Sequence, residues 1–223
     1  AMRAAFDAGI TTFDTAEVYG EGHSEQIIGK ALSDVRSQVV YASKVFANHL
    51  KPDLLVEACD RSLKNLNTDY TDLYQIHWPA GTWNSELVPI AETMDALNKL
   101  KEQGKIRAIG VSNFSRAQIA EAAQYGRIDS LQPPYSLFWR WVEKEAMSYC
   151  ADNHISIIAY SSLAQGILTG KFGPEHKFEE GDHRAKSKLF LKENYARVQT
   201  ALTQLRPIAD RHQTTLGNLA LAW

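Results

Sequence analysis

The stretch Phe13-Asp14-Thr15-Ala16-Glu17-Val18-Tyr19-Gly20 ends a short apolar run, Thr11–Asp14, with a carboxylate and carries a tyrosine five residues further on. An acidic residue at the C-terminal end of a strand stands where α/β barrels build their active sites. Read alone, the segment is equally an aspartate capping the next turn and a tyrosine packed on a rim. The following strands tip the balance. Lys44 closes the run Val39–Ser43, and His77 closes Leu73–Ile76. A lysine at a strand end is commonly a solvated edge, and a lone histidine is commonly a satisfied rim residue. Three chemically matched residues ending three strands on one face are not decoration.

Working outward, further candidate strands are Ala108–Val111, Ser130–Gln132 and Ile155–Tyr160. Helical periodicity fills the gaps. Leu54–Leu66 carries the stripe Leu55, Ala58, Cys59, Leu63 and Leu66, and Leu87–Lys101 repeats Ile90, Met94, Leu97 and Leu100. Ser115–Tyr125 opens on an N-cap serine, with Gly126 placed to end it. Alternating strands and helices predict an α/β fold, a parallel sheet covered by helices, read as one domain over residues 1–223. Six strands fit a barrel or a doubly wound sheet. For the latter, Gly20-Glu21-Gly22 lacks the third glycine of a dinucleotide fingerprint. Ala1–Ala8 reads as a helix already in progress, and Thr215–Trp223 stops within another apolar helical pattern.

Composition narrows the class. The 223 residues include 24 basic and 26 acidic side chains, without long blocks of either sign. That balance favours neither nucleic acid nor an anionic membrane as partner. Apolar runs such as Ile155–Tyr160 fall far short of the ~20 residues that span a bilayer. With only Cys59 and Cys150, a disulfide framework is not expected and a reducing cytoplasm fits best. His176 and His183 lack metal-ligand spacing, so no metal is expected, and Lys186-Ser187-Lys188 reads as a short exposed run.

Taken in order, these residues and the motifs around them resemble the aldo-keto reductase superfamily. Asp14 and Tyr19, Ser43-Lys44, and Ile76-His77-Trp78-Pro79 resemble its catalytic tetrad. Gly110-Val111-Ser112-Asn113-Phe114, Gln132-Pro133-Pro134-Tyr135 and Tyr160-Ser161-Ser162-Leu163-Ala164-Gln165-Gly166 are similar to its fifth, sixth and seventh strand signatures. Gln165-Gly166, Gly170-Lys171 and Gly181-Asp182-His183-Arg184 lean toward the bacterial branch related to potassium-channel β-subunits. The resemblance implies a (β/α)8 TIM barrel with about six of its eight strands within these residues, the first expected before Ala1 and the eighth after Trp223. It also implies reduction of aldehydes or ketones by hydride from NADPH. NADH stays open, because the family's contacts to the adenosine 2′-phosphate fall in the C-terminal stretch.

The tetrad has its own chemical logic. A carbonyl oxygen gains negative charge as hydride arrives, so a proton must be delivered in the transition state. Tyrosine, with a pKa of ~10, is a weak acid for that task, and a nearby lysine cation stabilises its phenolate. The expected roles are Tyr19 as general acid, Lys44 as its tuner, Asp14 as the group orienting Lys44, and His77 as substrate positioner.

By the same resemblance Ser112, Asn113 and Gln132 hold the nicotinamide carboxamide, and Tyr160 stacks on its ring. Ser161, Leu163, Gln165 and Gly166 line the pyrophosphate, and Lys171 and Arg184 pair with phosphates. Read singly these are turn caps, rim packing and solvated charges. Ser162 departs from the proline usual there. Phe46, Trp78, Phe138 and Trp139 are candidates for an apolar substrate mouth, or equally for lid packing. Other classes stay open: a cofactor-binding regulatory subunit with slow turnover, an inactive fragment without a complete cofactor site, and a barrel isomerase or aldolase using Lys44 as a Schiff base.

Overall fold

A computed structural model of the chain describes residues 1–173 and 175–223, without the side chains of His183 and Lys192. It forms two compact units, residues 1–133 with 145–158, and residues 134–144 with 159–223.

The first unit is a β/α alternation. Its strands are β1 (Thr12–Asp14), β2 (Val40–Val45), β3 (Thr71–Ile76), β4 (Ile106–Ser112), β5 (Ser130–Gln132) and β6 (Ser156–Ile157). Between them lie α2 (His23–Leu32), α3 (Pro52–Leu66), α4 (Ile90–Glu102) and α5 (Arg116–Ala122), preceded by α1 (Met2–Asp7). After β5 come α6 (Trp141–Glu145), which falls in the second unit except for Glu145, and α7 (Met147–Asp152), which returns to the first. All six strands are parallel and lie in the order β1-β2-β3-β4-β5-β6. That order decides between the two sheets the periodicity allowed. A doubly wound sheet reverses its strand order at a switch point, whereas a barrel winds in one direction. This sheet never reverses.

The strands differ from the sequence reading at their ends. β2 runs on through Val45, so Lys44 lies inside the ladder. β6 stops at Ile157, short of Tyr160. Its neighbour β5 runs into Pro133 and Pro134, which offer no N–H to a ladder. α5 begins as expected, with a reciprocal capping box between Ser115 and Gln118. It ends at Ala122, however, and Gly126 serves packing instead: a Cβ there would come within 2.7 Å of Asn98 and 3.0 Å of the Met94 methyl.

The apolar stripes of the helices are buried as their spacing predicts. Leu55, Ala58, Cys59, Leu63 and Leu66 of α3, and Met94, Leu97 and Leu100 of α4, all face inward. Burial pushes the Cys59 thiol up to about 12, which keeps it inert. A buried carboxylate, Glu25, ties three elements together by accepting from Ser43 Oγ at 2.5 Å and Asn65 Nδ2 at 3.0 Å.

The second unit contains α8 (Lys192–Arg211) and α9 (Leu216–Ala222). Ala164, Ile167, Leu168, Tyr195, Val198, Leu202 and Leu216 form its core. Among the described residues, no helix is long and apolar enough to cross a membrane.

A close approach of α2 to α3 sets a test. A Cβ on Gly29 of α2 would lie 2.5 Å from the Leu66 carbonyl group and 2.8 Å from the Asn65 oxygen, all of it backbone that cannot swing aside. Gly29→Ala should therefore destabilise the chain by ~1–3 kcal/mol despite alanine's better helix propensity. Urea unfolding should show a lower midpoint at an unchanged slope.

Candidate active site

Strand register brings the tetrad together in the first unit. Asp14 is the last residue of β1 and pairs with Ala42, so Lys44 stands one interior position further along β2. Lys44 is fully buried, and its Nζ donates to Asp14 Oδ2 at 2.5 Å and to the Thr15 carbonyl at 2.7 Å. Burial pulls the Lys44 ammonium below its ordinary value, while the Asp14 carboxylate beside it works in the opposite sense. The other oxygen of Asp14 accepts from Gln75 Nε2 at 3.2 Å and Gln132 Nε2 at 2.9 Å.

Tyr19 lies on the loop after β1 and is 43% exposed, so its hydroxyl end can meet a substrate. Nζ of Lys44 sits 5.3 Å from the centroid of its ring. The Tyr19 phenol is pushed above its ordinary value, first by burial and second by the Asp14 charge. This direction is opposite to the lowering expected from a neighbouring lysine. The Lys44 charge is compensated at 2.5 Å by Asp14, leaving desolvation to dominate.

The loop bearing Tyr19 is anchored by Glu17. Its carboxylate is 9% exposed and accepts from the Phe46 N–H at 2.7 Å and from Arg61 Nη2 at 3.3 Å; His49 Nδ1 stands 2.9 Å away. Sequence reading missed Glu17 and Gln75. Both are polar residues whose partners lie about 30 to 60 positions away, a pairing no local pattern signals.

His77 follows β3 and is held by its backbone N–H to the Val45 carbonyl at 2.9 Å. Its ring meets the rings of Tyr19 and Phe46 edge-on, each at 5.6 Å. Phe46 continues to Trp83 at 6.2 Å, and Trp83 to Trp78 at 5.6 Å. This aromatic wall includes two of the four expected substrate-mouth residues and adds Trp83, which no pattern had singled out. His77 Nδ1 is buried without a hydrogen-bond partner. Burial and the Lys44 cation pull the imidazole down to about 4.

The candidate carboxamide ligands lie at the ends of β4 and β5. Ser112 Oγ donates to the Gln132 carbonyl at 2.8 Å, and Asn113 Nδ2 reaches the His77 carbonyl at 3.0 Å and Ser112 Oγ at 3.1 Å. Asn113 holds a left-handed backbone, φ 63°, a conformation its side chain tolerates better than most.

The remaining predicted residues belong to the second unit. Tyr160 bridges to Pro134, and Phe138 packs against that unit's core beside the turn that carries Trp139. Ser161, Ala164, Gln165 and Gly166 all have positive φ, while Leu163, within the same stretch, has φ -89°. Such reversals turn backbone N–H groups out of the usual ladder and suit an anion. Gln165 Oε1 is buried without a partner. Lys171 is exposed. Arg184 is engaged by Asp182 through Nε at 3.0 Å and Nη2 at 2.6 Å, and its guanidinium lies over the rings of Phe172 and Phe178. Together with Gln165 these residues line a cavity of about 760 Å³. Of the histidine pair, His176 packs on Phe172 and Phe178, and the His183 side chain lies outside the described residues. Among the described residues no cluster of His, Cys, Asp and Glu is placed to hold a metal ion.

Comparison with known proteins places this geometry in a family context. The model of the aldo/keto reductase family matches residues 1–223. The chain is 41% identical to the aldo-keto reductase YhdN of Bacillus subtilis, over 100% of this chain and 69% of that protein. It is 38% identical to an NADH-specific methylglyoxal reductase of Escherichia coli, over 98% of this chain and 72% of the relative. Among solved structures, it matches a glycerol dehydrogenase from Gluconobacter oxydans at 33% identity with a TM-score of 0.93, covering 100% of this chain and 70% of that one. A Klebsiella pneumoniae aldo-keto reductase in complex with NADPH matches at 30% identity and a TM-score of 0.77, over 100% and 68% of the two chains.

The depressed His77 yields a prediction. Its ring should stay neutral on acidification until about pH 4, seen as a single imidazole titration by NMR. The unfolded ring binds its proton near ~6.5, so between the two values the unfolded chain carries the extra proton. Stability from neutral His77 is complete above the unfolded value and is lost as pH falls toward the folded one. His77→Gln should flatten that part of the stability–pH curve.

Proposed function

Because the chain belongs to the aldo/keto reductase family, we propose that it reduces aldehydes or ketones to alcohols, with Tyr19 as the proton donor. The observation that carries the assignment is the buried Lys44–Asp14 pair set beneath the Tyr19 ring. A lysine ammonium removed from water is costly, and here it lies beside the position where a phenolate would form once Tyr19 gives up its proton. A bound nicotinamide cofactor supplies the hydride.

The residues of the chain then divide the remaining work. Tyr19, a phenol that burial pushes further above its ordinary value, holds its proton at neutral pH and delivers it as the carbonyl oxygen becomes basic. The phenolate left behind has a cation beneath it. His77, neutral, has one N–H to give. A buried unpaired donor is rarer than a buried unpaired acceptor, so the proton belongs on Nε2 and orients the carbonyl oxygen toward Tyr19. Phe46 and Trp78 form one apolar side of the substrate mouth, with Phe138 and Trp139 as further candidates.

The donor set fits a nicotinamide cofactor. Ser112, Asn113 and Gln132 offer amide and hydroxyl groups suited to a carboxamide, and Tyr160 offers a ring face. Ser161, Gln165 and Gly166 offer reversed backbone, with Leu163 between them in the chain, and Lys171 and Arg184 are the phosphate partners. NADPH is the proposed form, supported by the NADPH complex of the Klebsiella relative; an NADH-specific Escherichia relative keeps NADH as the alternative. We take residues 1–223 as one barrel domain, supported by a single family model spanning both units, and place it in the cytoplasm on its two buried free cysteines.

Tyr19→Phe should lower kcat by ~10²–10⁴-fold while leaving the NADPH dissociation constant, measured by fluorescence titration, within about twofold. Turnover at the unaltered rate would remove Tyr19 from the reaction and the proposal with it.

A further inference from the structure

Below the tetrad, strand register aligns a row of residues on one face of the sheet. Lys44 stands opposite Gln75, Gln75 opposite Gly110, Gly110 opposite Ser130, and Ser130 opposite Ser156. Interior layers of such barrels are usually filled by branched apolar side chains. This one contains Lys44, Gln75 and Ser130, all buried.

Burying an amide is costly unless its groups are paired. Gln75 meets only half of that requirement. Its Nε2 donates to Asp14 Oδ1 at 3.2 Å, while its Oε1 has no partner. Ser130 Oγ is also unpaired. Between them Gly110 leaves the needed space: a Cβ there would lie 2.3 Å from Ser130 Oγ and 2.8 Å from Gln75 Cγ. Packing does not explain the amide, since a methionine would fill the volume with no polar group to satisfy. Its one made contact is with Asp14.

We propose that Gln75 is a positioning residue for the carbonyl reduction: its amide fixes the Asp14 carboxylate, and through it the Lys44 ammonium, beneath the Tyr19 ring, and Gly110 is a glycine to admit that amide. This rests on Tyr19 being the proton donor. Gln132 shares the same Asp14 oxygen but also faces the proposed cofactor role, so Gln75 is the separable partner. The titratable groups that face this point are Asp14 from β1, Lys44 from β2, and His77 and Tyr19 from the loops beyond. Of these groups, the amide turns its positive end toward the Asp14 carboxylate. Without it, the Asp14 charge is less compensated and a Tyr19 phenolate is harder to form.

The test uses the 223-residue chain and two variants, Q75M and G110A. The first removes the amide at similar volume, and the second keeps it but crowds it from its place. Tyrosine labelled with 13C at Cζ is titrated by NMR, the Tyr19 signal being identified by its loss in Y19F. Both variants should titrate Tyr19 at higher pH by about half a pH unit or more. With saturating NADPH and benzaldehyde, kcat should fall about tenfold and KM should stay within about twofold. A folded variant whose Tyr19 titrates as in the parent chain overturns the proposal, even if activity falls, because that outcome marks a merely structural role. If the parent chain reduces no carbonyl, the reductase reading fails, and the Tyr19 titration alone still decides whether Gln75 sets the Lys44–Asp14 pair.

Discussion

The ion pair between Lys44 and Asp14 is the constraint around which the first unit is arranged. A fully buried ammonium is tolerable only where a carboxylate and further acceptors meet it, and Asp14 with the Thr15 carbonyl supplies both. That meeting requires β1 and β2 to be parallel neighbours in one register. It also requires Asp14 to be held from its other side, which Gln75 and Gln132 do from β3 and β5. Four strands thus converge on one carboxylate. Burial first, and the same cation second, depress His77.

Around this floor Tyr19 and His77 sit on loops, where side chains stay accessible. The loops are nonetheless pinned. Glu17, two residues before Tyr19, reaches the loop after β2 and a side chain of α3. Its acceptance of the Phe46 N–H links the loop that carries Tyr19 to the loop after β2 that begins the aromatic wall. The second unit is organised differently. It rests on an apolar core under α8 and α9, and its candidate anion ligands lie where the backbone repeatedly reverses hand. Arg184 there is already neutralised by Asp182 and stacked on two phenylalanines, so its charge is held in a set orientation.

Much of this was legible in the sequence because it depends on local order. Strand and helix alternation follows from side-chain periodicity, and the stripes on α3 and α4 face inward as their spacing requires. The placement of Asp14, Lys44 and His77 at or near the ends of three strands on one face was also readable, since parallel β/α units put all strand ends on the same side. The ordered motifs carried the family with them. What failed depended on neighbouring elements: β6 ends where its partner strand meets two prolines, and Gly126, read as the end of α5, packs against α4 instead.

Only the tertiary structure could choose a singly wound sheet over a doubly wound one, because strand order is a property of pairing and not of periodicity. It alone placed Gln75 and Glu17 at the site, since a buried amide or carboxylate is defined by partners distant along the chain. It also reversed the expected direction for Tyr19. The sequence announces a lysine near a tyrosine, but whether that lysine's charge reaches the phenol depends on how closely an aspartate compensates it and how much water is excluded. The identities of the chemical groups, and the strands that carry them, were therefore determined by sequence. Their charges, distances and supporting contacts were decided by packing, because electrostatic energy depends on separation and burial, which no linear pattern contains.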